Sequence, residues 1–337
     1  MGGIRKAPMV LLALLTLAFT FAGQGSAAEQ TTQPLRLEAK IPLGNVAGRI
    51  DHMAIDLARK RLFVAELGNN SVGVVDLDAR KVVHRVAGLK EPQGAAYVQA
   101  TDTLYIANRG DGSVRMFRGA DYSPAGRVEL DSDADNIRVD ASANQAIVGF
   151  GDGGLAVIDL ATGKKIGTMS LKAHPESFQL DPATSDVFVN LPDERAIVVL
   201  DRLTGQQRSR WPMAYAGNFA MALDNEAGRV LSVFREPARL MAFTKSNGSV
   251  ADQVPTCGDV DDVFFDAKRK RIYISCGEGF IDVRDARRPG YPEIDRIATA
   301  AGTRTSLFVP ELDRLFLAVR AQGSVPAAIW VFAVNDP

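Results

Sequence analysis

The sequence has few of the residues on which metal and nucleophile chemistry usually depends. Its 337 residues include three histidines and two cysteines. It contains no CxxCH haem-attachment motif, no GxSxG nucleophile elbow and no HExxH zinc motif. These absences exclude the protein classes that those motifs define. A catalytic triad whose members are scattered along the sequence stays open, because such residues meet only in the folded chain.

The sequence also lacks an excess of charge of either sign. Lysine and arginine total 39 against 40 aspartates and glutamates, so the formal net charge is −1. A chain without a net field has no general attraction for nucleic acid or for an anionic membrane surface. We therefore expect neither as a partner.

Long apolar runs are missing apart from one at the N-terminus. Arg5 and Lys6 precede the run Met9–Phe21, and Ser26–Ala28 supplies the small residues that a signal peptidase needs. The run is too short for a convincing membrane span. The sequence predicts a signal peptide over residues 1–28 and no membrane span after its removal. The mature chain then starts near Glu29, in the periplasm or outside the cell.

What the sequence has in abundance is a repeat. Arg61–Asp76, RLFVAELGNNSVGVVD, reads as two short strands of alternating apolar and polar residues around a tight turn. Seven copies share this pattern, and the other six are Thr103–Arg118, Gln145–Asp159, Asp186–Asp201, Arg229–Phe243, Arg271–Asp285 and Arg314–Phe332.

Aspartates that end the first strand of a unit give the period of the repeat. Asp140, Asp181, Asp224 and Asp266 are 41, 43 and 42 residues apart. Each unit reads as a four-stranded antiparallel meander, which exposes both sheet faces unless it stacks against its copies. The sequence therefore predicts an all-β fold, a seven-bladed β-propeller, as a single domain over residues 29–337.

The two ends of the chain share the last blade in this interpretation. The seventh unit has only three strands, and Leu35–Leu43 alternates like a strand but belongs to no unit. Pairing this strand with the seventh unit closes the ring and removes an exposed sheet edge. The seventh copy departs most from the repeat, because Pro310 replaces the aspartate and the loop Ala321–Ala327 is longer. Its register is therefore uncertain by a residue or two.

The repeat units carry a resemblance. LYIANRGDGSVRMFR and RLFVAELGNNSVGVVDLDARKVV resemble the YVTN-type β-propeller repeat, and the chain from about Leu35 onward is similar to exported YncE-like proteins. The resemblance implies a periplasmic or secreted propeller. It implies no activity, because the motif consists of packing and turn residues.

Polar residues enter the first strand of almost every blade, at one mouth of the channel that a propeller encloses. Four carboxylates are candidate ligands of a metal site, with calcium as the candidate cation: Asp51, Asp135, Glu176 and Asp261. The residues beside them that we expect to bind a ligand are Gln93, Asn136 and Asn218. Converging carboxylates repel one another and need a cation, guanidinium groups or shared protons. The alternative is a hydrated polar funnel that binds nothing in particular.

Histidines and arginines fall on the same face. His52 and His174 are weak candidates for metal ligation or general-base catalysis, and each has the alternative of a hydrogen bond within its own loop. Arg109, Arg235 and Arg320 end second strands close to this mouth. They either bind an anionic group or balance the carboxylates.

The two cysteines fall in one unit of the repeat. Cys257 precedes the first strand of the sixth unit and Cys276 ends its second strand, so both are expected at the same end of that blade. In an exported chain the spacing favours a disulfide, which holds the loop that carries Asp261. A metal site is the weaker alternative, since two thiols lack the further ligands that zinc usually takes.

These patterns favour a non-enzymatic, monomeric exported propeller whose channel mouth binds a small polar ligand, a cation or a protein partner. The second hypothesis is a divalent-metal-dependent hydrolase of the lactonase or gluconolactonase kind, in which His52 or His174 moves a proton. A third is an accessory subunit of a redox or metal-handling enzyme.

Overall fold

The computed structural model describes residues 1–4, 33–151 and 153–336. The predicted signal peptide lies outside the described residues except for Met1–Ile4, which are exposed. Contacts divide the chain into Met1–Thr31 and Thr32–Pro337, and the fold below is that of the second unit. No helix among the described residues is long and apolar enough to cross a membrane.

The strands of the second unit form seven four-stranded antiparallel sheets. The blades were predicted from the period of the repeat, and a seven-bladed β-propeller is confirmed. Blade 1 contains β2 (Met53–Asp56), β3 (Arg61–Glu66), β4 (Ser71–Asp76) and β5 (Lys81–Val86). Blade 2 contains β6 (Pro92–Val98), β7 (Thr103–Asn108), β8 (Ser113–Arg118) and β9 (Pro124–Glu129). Blade 3 contains β10 (Ala134–Asp140), β11 (Gln145–Phe150), β12 (Gly154–Asp159) and β13 (Lys164–Ser170).

The remaining blades follow the same order along the chain. Blade 4 contains β14 (Phe178–Leu180), β15 (Asp186–Leu191), β16 (Ala196–Asp201) and β17 (Gln207–Pro212). Blade 5 contains β18 (Ala216–Asp224), β19 (Arg229–Glu236), β20 (Ala238–Thr244) and β21 (Val250–Pro255). Blade 6 contains β22 (Val260–Asp266), β23 (Arg271–Cys276), β24 (Phe280–Asp285) and β25 (Glu293–Ala298). Blade 7 contains β26 (Ser306–Val309), β27 (Arg314–Val319), β28 (Ala327–Val334) and β1 (Leu35–Gly44).

The N-terminal strand β1 completes blade 7 by pairing with β28, from Leu35 opposite Val334 to Gly44 opposite Ala327. Its register skips Glu38 between Leu37 and Ala39. The fourth strands of the other six blades each skip one residue at the equivalent place. β1 comes from the other end of the chain, yet it has the same bulge as the fourth strands that directly follow the third strand of their blade.

Hydrophobic side chains form one buried cluster between each pair of neighbouring blades, seven clusters in all among the described residues. β1 contributes to two of them. Ile41 and Leu43 pack against blade 1, and Leu35 packs against blade 6. Since each blade buries its faces on its neighbours, β1 joins both sides of the closure.

The repeated aspartates stabilise turns on the face opposite the channel mouth. The Oδ1 atom of Asp266 accepts hydrogen bonds from the backbone N–H groups of Lys268 and Arg269 at 3.0 and 3.1 Å. The aspartates of blades 1, 3, 4 and 5 do the same in their own turns. The period of the sequence thus comes from turn chemistry, and these aspartates take no part in the candidate site.

Blade 7 keeps the register of the others, but Val309 stands at the position of the aspartate, and not Pro310 as the sequence suggested. A short 3-10 helix, Pro310–Leu312, makes the turn and ends at Asp313 with φ of 49°. Val309 pairs with Arg314, as Asp266 pairs with Arg271 in blade 6. Pro310 suits the first position of this turn because its ring fixes φ and no N–H is needed there.

Candidate ligand site at the channel mouth

The loops that enter the first strands surround a cavity of about 240 Å³, here called the mouth cavity. It receives side chains from all seven blades or the loops that enter them, and Phe219 is its one apolar residue. Its lining is Arg49, Gln93, Arg109, Asp133, Asp135, His174, Glu176, Phe219, Arg235, Asp261 and Arg304. A smaller cavity of about 50 Å³ lies deeper and shares several of these residues. Its further lining includes Asp51, His52, Asn136, Arg138, Gln179, Met221 and Asp262.

Most of the residues that the sequence suggested for a site line one of these two cavities, but Asn218 and Arg320 do not. Asn218 is fully buried, and its Nδ2 donates to Asn190 Oδ1 at 3.1 Å and to the carbonyl of Ala196 at 2.9 Å. A register shift in β18 between Asn218 and Ala220 brings Phe219 to the cavity instead. Arg320 lies near the mouth, within electrostatic reach of Arg304 and Arg49.

Guanidinium groups pair with most of the carboxylates at the mouth. The guanidinium of Arg49 lies 2.7 Å from the carboxylate of Asp51. Asp261 forms ion pairs with both Arg235 and Arg304, and the Nε atom of Arg304 lies 2.8 Å from it. These pairs reduce the repulsion that the converging carboxylates would otherwise suffer.

The expected metal site stays a prediction. Among the described residues, no group of three or more histidines, cysteines, aspartates and glutamates is arranged to hold a metal ion. Of the four predicted carboxylate ligands, Asp51 and Asp261 make ion pairs with arginines, and Asp135 faces His174. A divalent cation would have to compete with those positive groups for the same oxygens.

Glu176 is the exception among these carboxylates. Its side chain forms no hydrogen bond and no ion pair with a residue that the structure describes, and it lines both cavities. Burial, followed by the neighbouring charge of Asp135, raises the pKa of Glu176 to about 7. The carboxyl group is therefore about half protonated near neutral pH.

His174 is held in a fixed orientation at the mouth. Its Nδ1 lies 2.8 Å from the carbonyl oxygen of Gly151 and donates to it, while Nε2 lies 3.9 Å from the carboxylate of Asp135. The Asp135 carboxylate raises the pKa of His174 to about 9. The ring is then an imidazolium at neutral pH, a form that neither ligates a metal nor accepts a proton.

His52 lies deeper, between two carboxylates. Its ring nitrogens are 3.7 Å from Asp51 and 3.8 Å from Asp262. Burial opposes the charged ring, but the charges of Asp262 and Asp51 outweigh it and raise the pKa of His52. Burial in turn raises the pKa of Asp51 and of Asp262 to about 6 each. Arg138 adds a buried guanidinium to this charged cluster in the channel.

A disulfide holds one loop of the mouth. Cys257 and Cys276 are bonded, as predicted, with their Cα atoms 5.8 Å apart. The loop that starts at Cys257 carries Asp259 and Asp261, which pair with Arg304. The backbone N–H of Cys257 also donates to buried Asp282 at 3.1 Å. Two independent links thus fix the loop whose aspartates face the mouth.

The predicted site left out six charged residues of these cavities and their surroundings: Arg49, Asp133, Arg138, Asp259, Asp262 and Arg304. Three of them, Arg49, Asp133 and Asp259, come two residues before a predicted site residue. Positions two apart on an extended chain point to the same side, so this spacing is a signal that could have identified them.

Solved structures share the fold at low sequence identity. The chain superposes on Kuenenia stuttgartiensis hydrazine synthase with a TM-score of 0.74 and 16% identity, over 86% of this chain and 98% of that one. It is also similar to a chain in the crystal structure of the mitotic checkpoint complex, with a TM-score of 0.75 and 12% identity over 95% and 99% of the two chains. No protein-family model and no curated protein sequence matches. Such likeness shows the β-propeller fold alone.

Proposed function

We propose that this chain is an exported, non-enzymatic binding protein and that the mouth cavity is its ligand site. The observation that carries the proposal is the composition of that cavity: all seven blades bring charged or amide side chains to about 240 Å³ of space. A ligand that binds there displaces water and contacts side chains that are already oriented. Binding therefore loses little side-chain conformational entropy.

Three contacts that fix residues of the mouth favour a preformed ligand site over a hydrated polar funnel. The disulfide holds the loop of Asp261, a backbone carbonyl orients His174, and Gln93 donates from Nε2 to Asp133 Oδ1 at 3.4 Å. A funnel that only holds water needs none of its side chains fixed. Fixed polar groups around a small volume favour recognition of one ligand.

The proposed export and family relationship have separate support. The N-terminal residues have the pattern of a signal peptide, and a structural disulfide suits an oxidising compartment. The repeat units resemble those of YncE-like propellers, and we propose that the chain is related to them.

The metal-dependent hydrolase remains the second candidate, and one observation favours it. Glu176 has a pKa near 7 and no partner within hydrogen-bond reach among described residues, which suits a general acid or base. The pairing of Asp51 and Asp261 with arginines weighs against a cation on the axis.

Elemental analysis combined with thermal-shift measurements separates the two candidates. The binding protein is expected to contain no stoichiometric divalent metal and to gain thermal stability with a small polar compound but not with calcium, magnesium, manganese or zinc. Bound metal in stoichiometric amount, together with hydrolysis of a sugar lactone that a chelator abolishes, would contradict the proposal and support the hydrolase.

A further inference from the structure

We propose that a groove at the junction of blade 7 and blade 1 is a second ligand site and that it takes an aromatic carboxylate. The groove has a volume of about 220 Å³ and is here called the closure groove, because β1, the strand that closes the ring, forms one side of it. It shares no lining residue with the mouth cavity. The proposal therefore does not depend on the function proposed for the mouth.

The closure groove reaches the hydrophobic core between the two blades. Phe316 and Val331 of blade 7 and Ile41 of β1 are buried and line the groove, together with half-buried Leu77 of blade 1. All four belong to the cluster that joins blade 7 to blade 1. A ligand with an apolar body would remove this surface from water, which favours its binding.

The corresponding place at the junction of blades 1 and 2 is filled by Tyr122. Its ring stacks on His84, with 4.7 Å between the ring centroids, and meets Phe63 edge-on at 6.2 Å. Tyr122 is the fourth residue after the third strand of blade 2, with φ of 60°. Arg80 is the fourth residue after the third strand of blade 1, with φ of 51°, and takes the same place at the closure groove.

The strand registers show which aromatic groups the closure groove lacks. Phe316 stands in blade 7 where Phe63 stands in blade 1, and Ala39 stands where His84 stands, since each pairs with the residue opposite its phenylalanine. The phenylalanine is therefore kept, while the tyrosine is replaced by Arg80 and the histidine by alanine. What is missing beside Phe316 is an aromatic ring.

Neighbouring side chains fill this place at two junctions where the turn residue is glycine. Gly163 and Gly248 are the fourth residues after the third strands of blades 3 and 5. A Cβ atom on Gly163 would lie 3.0 Å from the Sδ atom of Met116, and one on Gly248 would lie 2.3 Å from the ring of Trp211. The closure groove has no such neighbour, because the small side chain of Ala39 leaves the space beside Phe316 open.

Arg80 supplies the charge that selects an anion. The charged residues that line the closure groove are Glu38, Lys60, Asp78, Arg80 and Arg314. Arg314 lies 2.6 Å from Glu38, and Lys60 lies 3.0 Å from Asp78. The guanidinium of Arg80 is exposed and forms no hydrogen bond and no ion pair with a residue that the structure describes. A carboxylate matches such a guanidinium, because it accepts two parallel hydrogen bonds from it.

The volume of the closure groove sets the size of the ligand. An engineered apolar cavity of about 150 Å³ holds benzene, so about 220 Å³ has room for one aromatic ring and a short carboxylate arm. The ring would lie against Phe316 as the ring of Tyr122 lies against Phe63. The carboxylate would lie at the rim, beside Arg80.

Isothermal titration calorimetry with matched probes tests the proposal. The probes are benzoate, phenylacetate and 3-phenylpropionate, the neutral amide of each, benzylamine, and acetate. We expect at least one aromatic carboxylate to bind about fivefold or more tightly than its own amide, and more tightly than benzylamine or acetate. Arg80→Gln should weaken the binding of that carboxylate by about three- to tenfold and leave the binding of the amide unchanged.

Arg80→Tyr tests where the carboxylate binds, because it places in the closure groove the residue that fills the junction of blades 1 and 2. It should abolish binding of the carboxylate and raise Tm, since the new ring covers apolar surface. Arg195→Gln is the matched control and should bind like the wild type, because Arg195 is also exposed and has a similar φ of 46°.

Four results would overturn the proposal. They are carboxylate binding that survives Arg80→Tyr, amides or benzylamine that bind as tightly as the carboxylates, no binding of any aromatic carboxylate, and a Tm of Arg80→Tyr below that of the wild type. The last would show that the closure groove does not accept a ring. None of these results bears on the mouth cavity, which has other residues and is tested with other compounds.

Discussion

Single residues at the mouth show where sequence reasoning succeeds and where it stops. Period-two alternation and the 42-residue repeat are enough to place Asp51, Asp135 and Asp261 at one mouth of the channel, because both rules depend only on strand geometry. The choice of Asn218 departs from those rules, because the repeat places Phe219 at the position equivalent to Asp135 and Asp261, and only its polarity favours Asn218. Each of these three positions lies at a register shift of its first strand, and such a shift decides which of two neighbouring side chains faces the channel.

Replacing Glu176 tests the electrostatics of the mouth without a ligand. The folded protein raises the pKa of this carboxyl from 4.5 to about 7. Its ionisation therefore destabilises the folded state, and this destabilisation is absent below about pH 4.5 and complete above pH 7. Glu176→Gln should therefore match the wild type at pH 4.5. Above pH 7 its free energy of unfolding should exceed that of the wild type by about 1 to 3 kcal/mol, since one pKa unit corresponds to about 1.4 kcal/mol.

Chemical denaturation at several pH values measures this difference. Glu311→Gln is the matched control, because Glu311 is exposed and its replacement should change stability equally little at every pH. A Glu176→Gln protein that is less stable than the wild type at pH 8 would contradict an unpaired, partly buried carboxylate at this position.

Elements were easier to predict than single side chains. Each blade repeats the same strands and apolar faces, and five of the seven share the turn aspartate, so the pattern can be recognised even where one copy departs from it. Blade 7 shows the limit. Its Pro310 turn looks irregular in sequence, yet a 3-10 helix restores the register at Val309 and Arg314.

The closure by β1 can be tested by shortening the chain. A protein that starts at Val46 loses the ladder with β28 and the buried residues Leu35, Ile41 and Leu43. It should aggregate, because the edge of β28 and two apolar faces become exposed. A protein that starts at Glu29 should fold normally. Size-exclusion chromatography and thermal unfolding compare the two, and a monomeric Val46 protein with unchanged Tm would refute the closure.

A point substitution provides a milder form of the same test. Ile41→Ala should lower the free energy of unfolding by about 2 to 5 kcal/mol, the usual cost of truncating a buried side chain. The exposed neighbour Arg36, replaced by Gln, should leave it nearly unchanged.

The disulfide acts on the element that carries Asp259 and Asp261. It links residues 19 positions apart, and a cross-link closing a loop of this length stabilises by roughly 3 kcal/mol in the chain-entropy model. The Cys257→Ser, Cys276→Ser double variant should lose about that amount and show faster hydrogen exchange over residues 257–261. Protein from an oxidising compartment that carries two free thiols under non-reducing conditions would contradict the link.

The whole molecule brings charged side chains from seven blades to one small cavity, and neither composition nor net charge reveals this. The chain is close to neutral overall, and only the folded ring brings these side chains together. The central claim of the account is that this cavity is a ligand site. The repeat that produced the fold cannot test that claim, because its aspartates lie on the other face and stabilise turns.

Hydrogen–deuterium exchange with a bound small polar compound tests the claim most directly, because it locates the ligand on the chain. The compound is one that raises Tm in the thermal-shift screen. We expect slower exchange in the mouth loops 46–52, 131–136 and 172–177, and no change in the opposite turns 141–144, 225–228 and 267–270. Protection confined to those turns, or to the outer strands of the blades, would contradict a ligand site at the mouth.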